Sequence, residues 1–536
     1  MLVASRRGIN PTDVTQPTTP MRQLTGHDAS FLYSDTAHSN SNVTFIQIYD
    51  QSTAPGGKVR FKSILAHIEG RLHRSPIFRN RLLRVPLELD YPYWTPDEHF
   101  DLEYHVRHIA LPKPGDWRQF CIQASRIHAR ALDLNRPLWE IYVIEGLDSF
   151  LDLPAGSFAL LTKVHHAAID VENRNELIDV LHDTTRQPPH PEPPEPWFPE
   201  RAPGAISLMC RGALHTMLTP WRLLSPLARI GPAAMTFARD LFRPEHRAAT
   251  RFNSVVSPHR VFDTRRFMLD EFKSIRGLVA GATVNDAVLA VCAGGLRRYL
   301  DMNRELPETD LTAIAPIYIR GADSRVTVRP EVSWLQVPLG THLADPLERL
   351  RLIHAHTSSS ETIARGVSAR EMTDVNEYAP AATLALTSKL FGRAMAGRAR
   401  GEPLAACTIT NVPGPSVPLY LNGARMTYFS AIMPISDGMG LVFAVTSYDG
   451  RIVISPTSCR ELMPDPLAFT QCMRDSFQEF LALAQRAAPA KKASRSARPR
   501  ASSTDKRIPK PRPARKAATA PPAGTGGRQR STRPSR

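Results

Sequence analysis

Apolar positions recur along this chain with two periods. Short β-rich runs such as Val43-Thr44-Phe45-Ile46-Gln47-Ile48 and Ile141-Tyr142-Val143-Ile144 read as strands, and Phe61 to His73 and Trp117 to Leu132 repeat with helical spacing. Thr283 to Leu300 (TVNDAVLAVCAGGLRRYL) predicts a helix, with Thr283 or Asn285 as its N-cap. Leu441 to Tyr448, the dipeptide Asp449-Gly450 and Arg451 to Ile454 predict a tight hairpin. Strands and helices interleaved in this way predict an α/β (α+β) fold.

The pattern breaks at Arg186 to Pro203, where eight prolines forbid helix or central strand and predict a stiff, extended connector. The regions on either side, 21–185 and 253–486, are similar in size and kind, which predicts two lobes with a cleft or channel between them. Within the intervening 186–252, Ala205 to Phe242 carries Arg211, Arg222, Arg229 and Arg239 among apolar residues; Ala382 to Arg400 resembles it. Two readings fit both stretches: helices packed on the body with arginines in water, or basic helices on a lipid surface. Residues 1–20 are polar and turn-rich and are expected to be disordered.

Composition narrows the class. Of 536 residues 42% are hydrophobic, too many for a wholly disordered chain. No uncharged apolar run reaches about 18 residues, so no spanning helix is predicted. The first residues lack the apolar run of a signal peptide, and the expected location is the cytoplasm. The net charge of +16 is concentrated at one end. From Lys491 to Arg536 there are 15 Lys and Arg against the single Asp505, which leaves 52 basic and 50 acidic groups elsewhere. Residues 487–536 are expected to stay unfolded, either as a solvated tail or against an anionic surface such as the inner face of a membrane or a lipid droplet. Without interleaved aromatics the tail does not predict specific nucleic-acid recognition. The six cysteines show no paired or zinc-like spacing and read as small core residues. No P-loop, GxGxxG, HExxH or GxSxG pattern is present.

The candidate chemistry lies in Ser157 to Asp170 (SFALLTKVHHAAID). Period two places Phe158, Leu160, Thr162, Val164 and His166 on one face of a strand and Ala159, Leu161, Lys163 and His165 on the other. The two histidines therefore point oppositely, and only one serves a given site. Asp170 falls in the turn before a helix. A histidine at a strand end with a carboxylate four residues on suits general-base catalysis, since imidazole titrates near neutrality.

His165-His166-Ala167-Ala168-Ile169-Asp170 resembles the HHxxxDG motif of bacterial wax ester synthase/acyl-CoA:diacylglycerol acyltransferases. These belong to a superfamily with chloramphenicol acetyltransferase, plant acyltransferases and peptide-synthetase condensation domains. Further blocks resemble the same family: Leu24 to Leu32, Asp133 to Glu140 (DLNRPLWE), Asn285 to Ala290, Asn411 to Pro415, Pro418 to Leu421 and Ser447 to Gly450. The resemblance runs from about Met21 to Arg486. It implies two chloramphenicol-acetyltransferase-like lobes around a channel, entered by acyl-CoA from one side and by diacylglycerol or a long-chain alcohol from the other. It implies His166 as general base, His165 in support, Asp170 as a structural residue of the turn and Asn285 as candidate oxyanion donor or helix cap. Acyl-CoA is then a substrate, and no cofactor is implied. Two positions depart from the pattern. Val171 stands where the motif has Gly, and Pro330-Glu331-Val332-Ser333 lacks the Asn of the family's GNxxS. They leave open a member that binds lipid without turnover, or one that acylates another acceptor.

Overall fold

The computed structural model describes residues 21–149, 153–154, 156–169, 176–187, 197, 199, 201–214, 248–319, 331–359, 367–368, 381, 385–386 and 403–496. The chain divides into two units, Met1–Ala487 and Ala488–Arg536. Within the first, one sheet has six strands in the spatial order Tyr420–Leu421, Ala424–Ile432, Asn42–Asp50, Ser157–His165, Trp139–Leu147 and Val106–Ala110. A second, eight-stranded sheet runs Val367–Ser368, Glu331–Pro338, Thr312–Ile319, Cys407–Pro413, Val442–Tyr448, Arg451–Cys459 and Arg260–Phe262, with Arg265–Met268 also paired to Arg451–Cys459. Three short strands, Arg22–Gln23, Tyr93–Pro96 and Asn80–Leu83, form a small third sheet.

Ser157–His165 is buried at every position because both faces of its sheet are covered. Phe158, Leu160 and Val164 join a core with Phe45, Ile68 and Trp139. Ala159 and Leu161 join another with Phe120, Ala124 and Ile127 of the helix Trp117–Ala129. The predicted alternation therefore holds along the strand. Truncating a leucine at either core should cost about 2–5 kcal/mol.

The predicted hairpin is present. Tyr448 pairs with Arg451, and Asp449 and Gly450 take φ of 45° and 75°. Positive φ at both central residues is the backbone that Asp-Gly accepts in such a turn. The helix begins at Val284 with Thr283 as N-cap, in a capping box with Asp286. Asn285 is the second helical residue, so the alternative that it serves as the cap is corrected. The last helix, Pro466–Ser496, runs past 487, where loss of structure was expected. Cys210 is exposed, contrary to its expected place in the core; the other five cysteines are buried.

The first sheet takes a strand from the second half of the chain. Ala424–Ile432 pairs antiparallel with Asn42–Asp50, with Tyr428 opposite Ile48 and Ile432 opposite Thr44. Phe429 and Ala431 fill one core of that sheet, Tyr428 and Ile432 the other. Sheet membership thus crosses the boundary drawn at 253, because a strand's alternation does not specify its partner. Among the described residues no helix is long and apolar enough to cross a membrane. Of the two basic stretches, 205–214 is helical; residues 215–247 and nearly all of 382–400 lie outside the described residues.

Candidate active site

The strand Ser157–His165 ends by delivering His165 into a buried, fully bonded position. Its N–H donates to the Leu138 carbonyl at 3.0 Å. Its Nδ1 accepts from the Ala167 N–H at 3.2 Å, so Nε2 carries the proton and donates to Asp35 Oδ2 at 3.0 Å. The other Asp35 oxygen accepts the Ser41 N–H at 2.8 Å. Asp35 is the C-cap of the helix Gly26–Ser34, which Thr25 caps at its other end.

At His166 the strand has already stopped, and the chain turns through His166–Ala168. The His166 N–H donates to Ser41 O at 2.8 Å, and its carbonyl accepts from Ile169 at 3.0 Å. The half-buried ring stacks on Phe31, centroids 3.9 Å apart and planes at 22°. Phe31 in turn meets His27 edge-on at 5.3 Å. His166 therefore lies just past the strand rather than on one of its faces. Phe31 and Asp35 lie one helical turn apart, on the same side of the helix, so both imidazoles meet the same segment. The turn, set by Ser41 and Asp35, overrides the strand's period.

The loop carrying Asp35 and Ser41 is also tied to the second half of the chain. Ser39 Oγ donates to Ile435 O at 2.6 Å, His38 lies 3.3 Å from Asp437, and Arg260 donates to His38 O at 2.8 Å. The histidine turn therefore sits beside a seam between the two halves. Upstream, Lys163 is buried on the same strand face as His165. Its ammonium donates to Arg130 O and lies 3.7 Å from Glu140. Burial, opposed by Glu140, pushes its pKa down to about 8. His128, bonded to Thr44 Oγ1 at 2.9 Å, is held well below its usual value by burial.

Asp170 and Val171 lie outside the described residues. Asn285 is half-buried in the first turn of its helix, and among the described residues no hydrogen bond joins it to either histidine. Its neighbour Asp286 accepts from Thr283 N at 2.8 Å, His354 Nδ1 at 3.0 Å and Thr357 Oγ1 at 2.8 Å. Two of the sequence blocks converge on the histidines: 24–32 supplies Phe31, and 133–140 supplies Leu138. Asp35 and Ser41 escaped the sequence reading, since nothing local marks a carboxylate that bonds a residue 130 positions away. Among the described residues no three His, Cys, Asp or Glu side chains gather to hold a metal ion.

Comparison with known proteins decides the family. The wax ester synthase/diacylglycerol acyltransferase catalytic domain matches residues 24–288, and the C-terminal domain of the same family matches 331–480. The chain belongs to the wax ester synthase/diacylglycerol acyltransferase family. Among relatives of this family, the O-acyltransferase WSD of Acinetobacter baylyi is 32% identical over 408 residues, covering 73% of this chain and 81% of its own. A Mycobacterium tuberculosis protein provisionally named a diacylglycerol O-acyltransferase is 32% identical over 450 residues, 82% of this chain and 94% of its own. The solved wax ester synthase/diacylglycerol acyltransferase of Marinobacter aquaeolei superposes with a TM-score of 0.62 at 25% identity, covering 86% of this chain and all of that one. The wax ester synthase/diacylglycerol acyltransferase family match takes in both the histidine turn and the Asp449-Gly450 hairpin.

Proposed function

We propose that this chain transfers a fatty acyl group from acyl-CoA to the hydroxyl of diacylglycerol or a long-chain alcohol, with His166 as general base. The observation that carries the reading is the half-buried His166 ring stacked on Phe31, in a turn fixed by the Asp35–His165 bond. His166 takes the acceptor's hydroxyl proton as the oxygen attacks the thioester carbonyl. The tetrahedral centre then collapses with cleavage of the C–S bond, and the imidazolium returns its proton to the departing CoA thiolate. A positioned base supplies about 10²–10⁴-fold of the rate. The rest comes from aligning two substrates and from donors facing the oxyanion. Asn285, in the first turn of its helix, is the proposed donor. His165 and Asp35 act as positioning residues. Acyl-CoA is consumed as substrate, with no separate cofactor.

The basic segment from Lys491 to Arg536 tethers the enzyme to anionic membrane or lipid-droplet surfaces by charge. Removing it should weaken binding to anionic vesicles at low salt; unchanged binding contradicts the tether.

Free-thiol release from a long-chain acyl-CoA, measured against diacylglycerol, long-chain alcohols and amines, tests the reading. Release with an alcohol or diacylglycerol supports it. Val171 favours a second reading, a lipid-binding member without turnover, which predicts acyl-chain binding and no thiol release with any acceptor.

A further inference from the structure

The helices Val284–Met302, Pro346–Ser358 and Pro466–Ser496 contribute to a cavity of about 150 Å³, room for several waters or one tetrahedral oxyanion. Three guanidiniums line it, those of Arg297, Arg298 and Arg349, against the carboxylates of Asp301 and Glu479. Arg298 and Glu479 neutralise each other across a partly exposed pair at 2.9 Å. Arg297 gives one N–H to Thr341 O at 2.5 Å.

Arg349 is different. It is only 2% exposed, and among the described residues its Nε and Nη2 donate to the carbonyls of Gly340 and Leu343, at 3.4 and 2.9 Å. Its Nη1 has no acceptor among the described residues. Burying a cation without a counter-ion costs several kcal/mol. Burial and the neighbouring Arg297, opposed in part by Glu479, pull its pKa down to about 10.

A second buried group without a partner among the described residues lies against the cavity wall. Ser476 Oγ also has no hydrogen-bond partner among the described residues. A Cβ on Gly294 would lie 2.1 Å from that oxygen and 2.9 Å from Arg349 Nη1, so both converge on a glycine of the cavity wall. A buried guanidinium N–H without an acceptor, on the wall of a cavity with surplus positive charge, calls for an anion with several oxygens.

We propose that this cavity binds a phosphate group, with Arg349 and Arg297 as its charged donors. The group is either the free ion or one carried by CoA; the recognition chemistry is the same. The site stands independently of the role given to His166.

Isothermal titration of the full chain with inorganic phosphate, at ionic strength held constant with chloride, tests it. The wild type should show one saturable site, at least tenfold weaker in Arg297→Gln. That side chain is partly exposed, and the variant leaves the basic tail unchanged, so the tail's own contribution cancels. Arg349→Lys should weaken binding likewise where its melting temperature shows it folded. Competition by CoA, with a raised KM for acyl-CoA in Arg297→Gln, assigns the phosphate to the acyl donor; phosphate binding with KM unchanged assigns it to the free ion. Either result supports the site. Absent or non-saturable binding, or equal affinity in wild type and Arg297→Gln, overturns it and leaves ordered water as the occupant.

Discussion

Two Asp–His pairs lie in this molecule at the same distance, Asp35–His165 and Asp286–His354, both 3.0 Å. Their surroundings differ. Asp286 gives its remaining bonds to Thr283 and Thr357, so that pair fastens the start of one helix to another. Asp35 gives its second oxygen to Ser41, whose carbonyl in turn holds the N–H of His166. Among the described residues, the first pair has a second imidazole beside it, left half-buried and stacked on Phe31. A carboxylate–histidine bond alone is therefore not a mark of catalysis. What matters is whether the bonded pair aims another group at a place where substrates can meet.

That contrast can be broken at the pair itself. Asp35→Asn replaces an acceptor with an amide that either turns its own N–H toward the His165 N–H or gives up the Ser41 bond. Displacing the turn by an ångström should lower kcat by up to about 10²-fold. The KM for acyl-CoA should hold and the melting temperature should fall only modestly; a wild-type kcat would show that His166 needs no such support.

The first region also contains a buried ammonium with its own pH signature. Lys163 sits at about 8, below its free value, so between about 8 and 10.5 the unfolded chain binds a proton that the folded chain has released. Stability from this group therefore rises with pH across that window, by up to about 1.4 kcal/mol per unit. Lys163→Met should flatten the rise, read from urea midpoints at about pH 7.5 and about pH 9.5. An unchanged slope would mean that Lys163 is not the source.

At the second pair, His354→Gln should cost about 1–2 kcal/mol of stability through the lost bond to buried Asp286. Thiol release per folded molecule should stay near wild type. A loss as deep as that of Asp35→Asn would erase the distinction between the two pairs.

Much of the fold was legible in the sequence, for local reasons. The Asp449-Gly450 hairpin follows from two residues tolerant of positive φ, and the inward sets of Ser157–His165 follow from its period of two. Thr283 could be named as one of two candidate caps, because its rival differed only in position. The site was legible less far. That His166 leaves the strand depends on Ser41 and Asp35, which no local pattern connects to it. The passage of Ala424–Ile432 into the first sheet and the convergence of Arg349, Ser476 and Gly294 depend on long-range packing, which periodicity does not encode.

The most direct measurement is thiol release from a long-chain acyl-CoA by His166→Ala, in a preparation whose melting temperature matches wild type. With His166 as the base, release in the presence of an active acceptor should fall by about 10²–10⁴-fold, toward the uncatalysed rate. Release at the wild-type rate would contradict the assignment and place the proton transfer on another group.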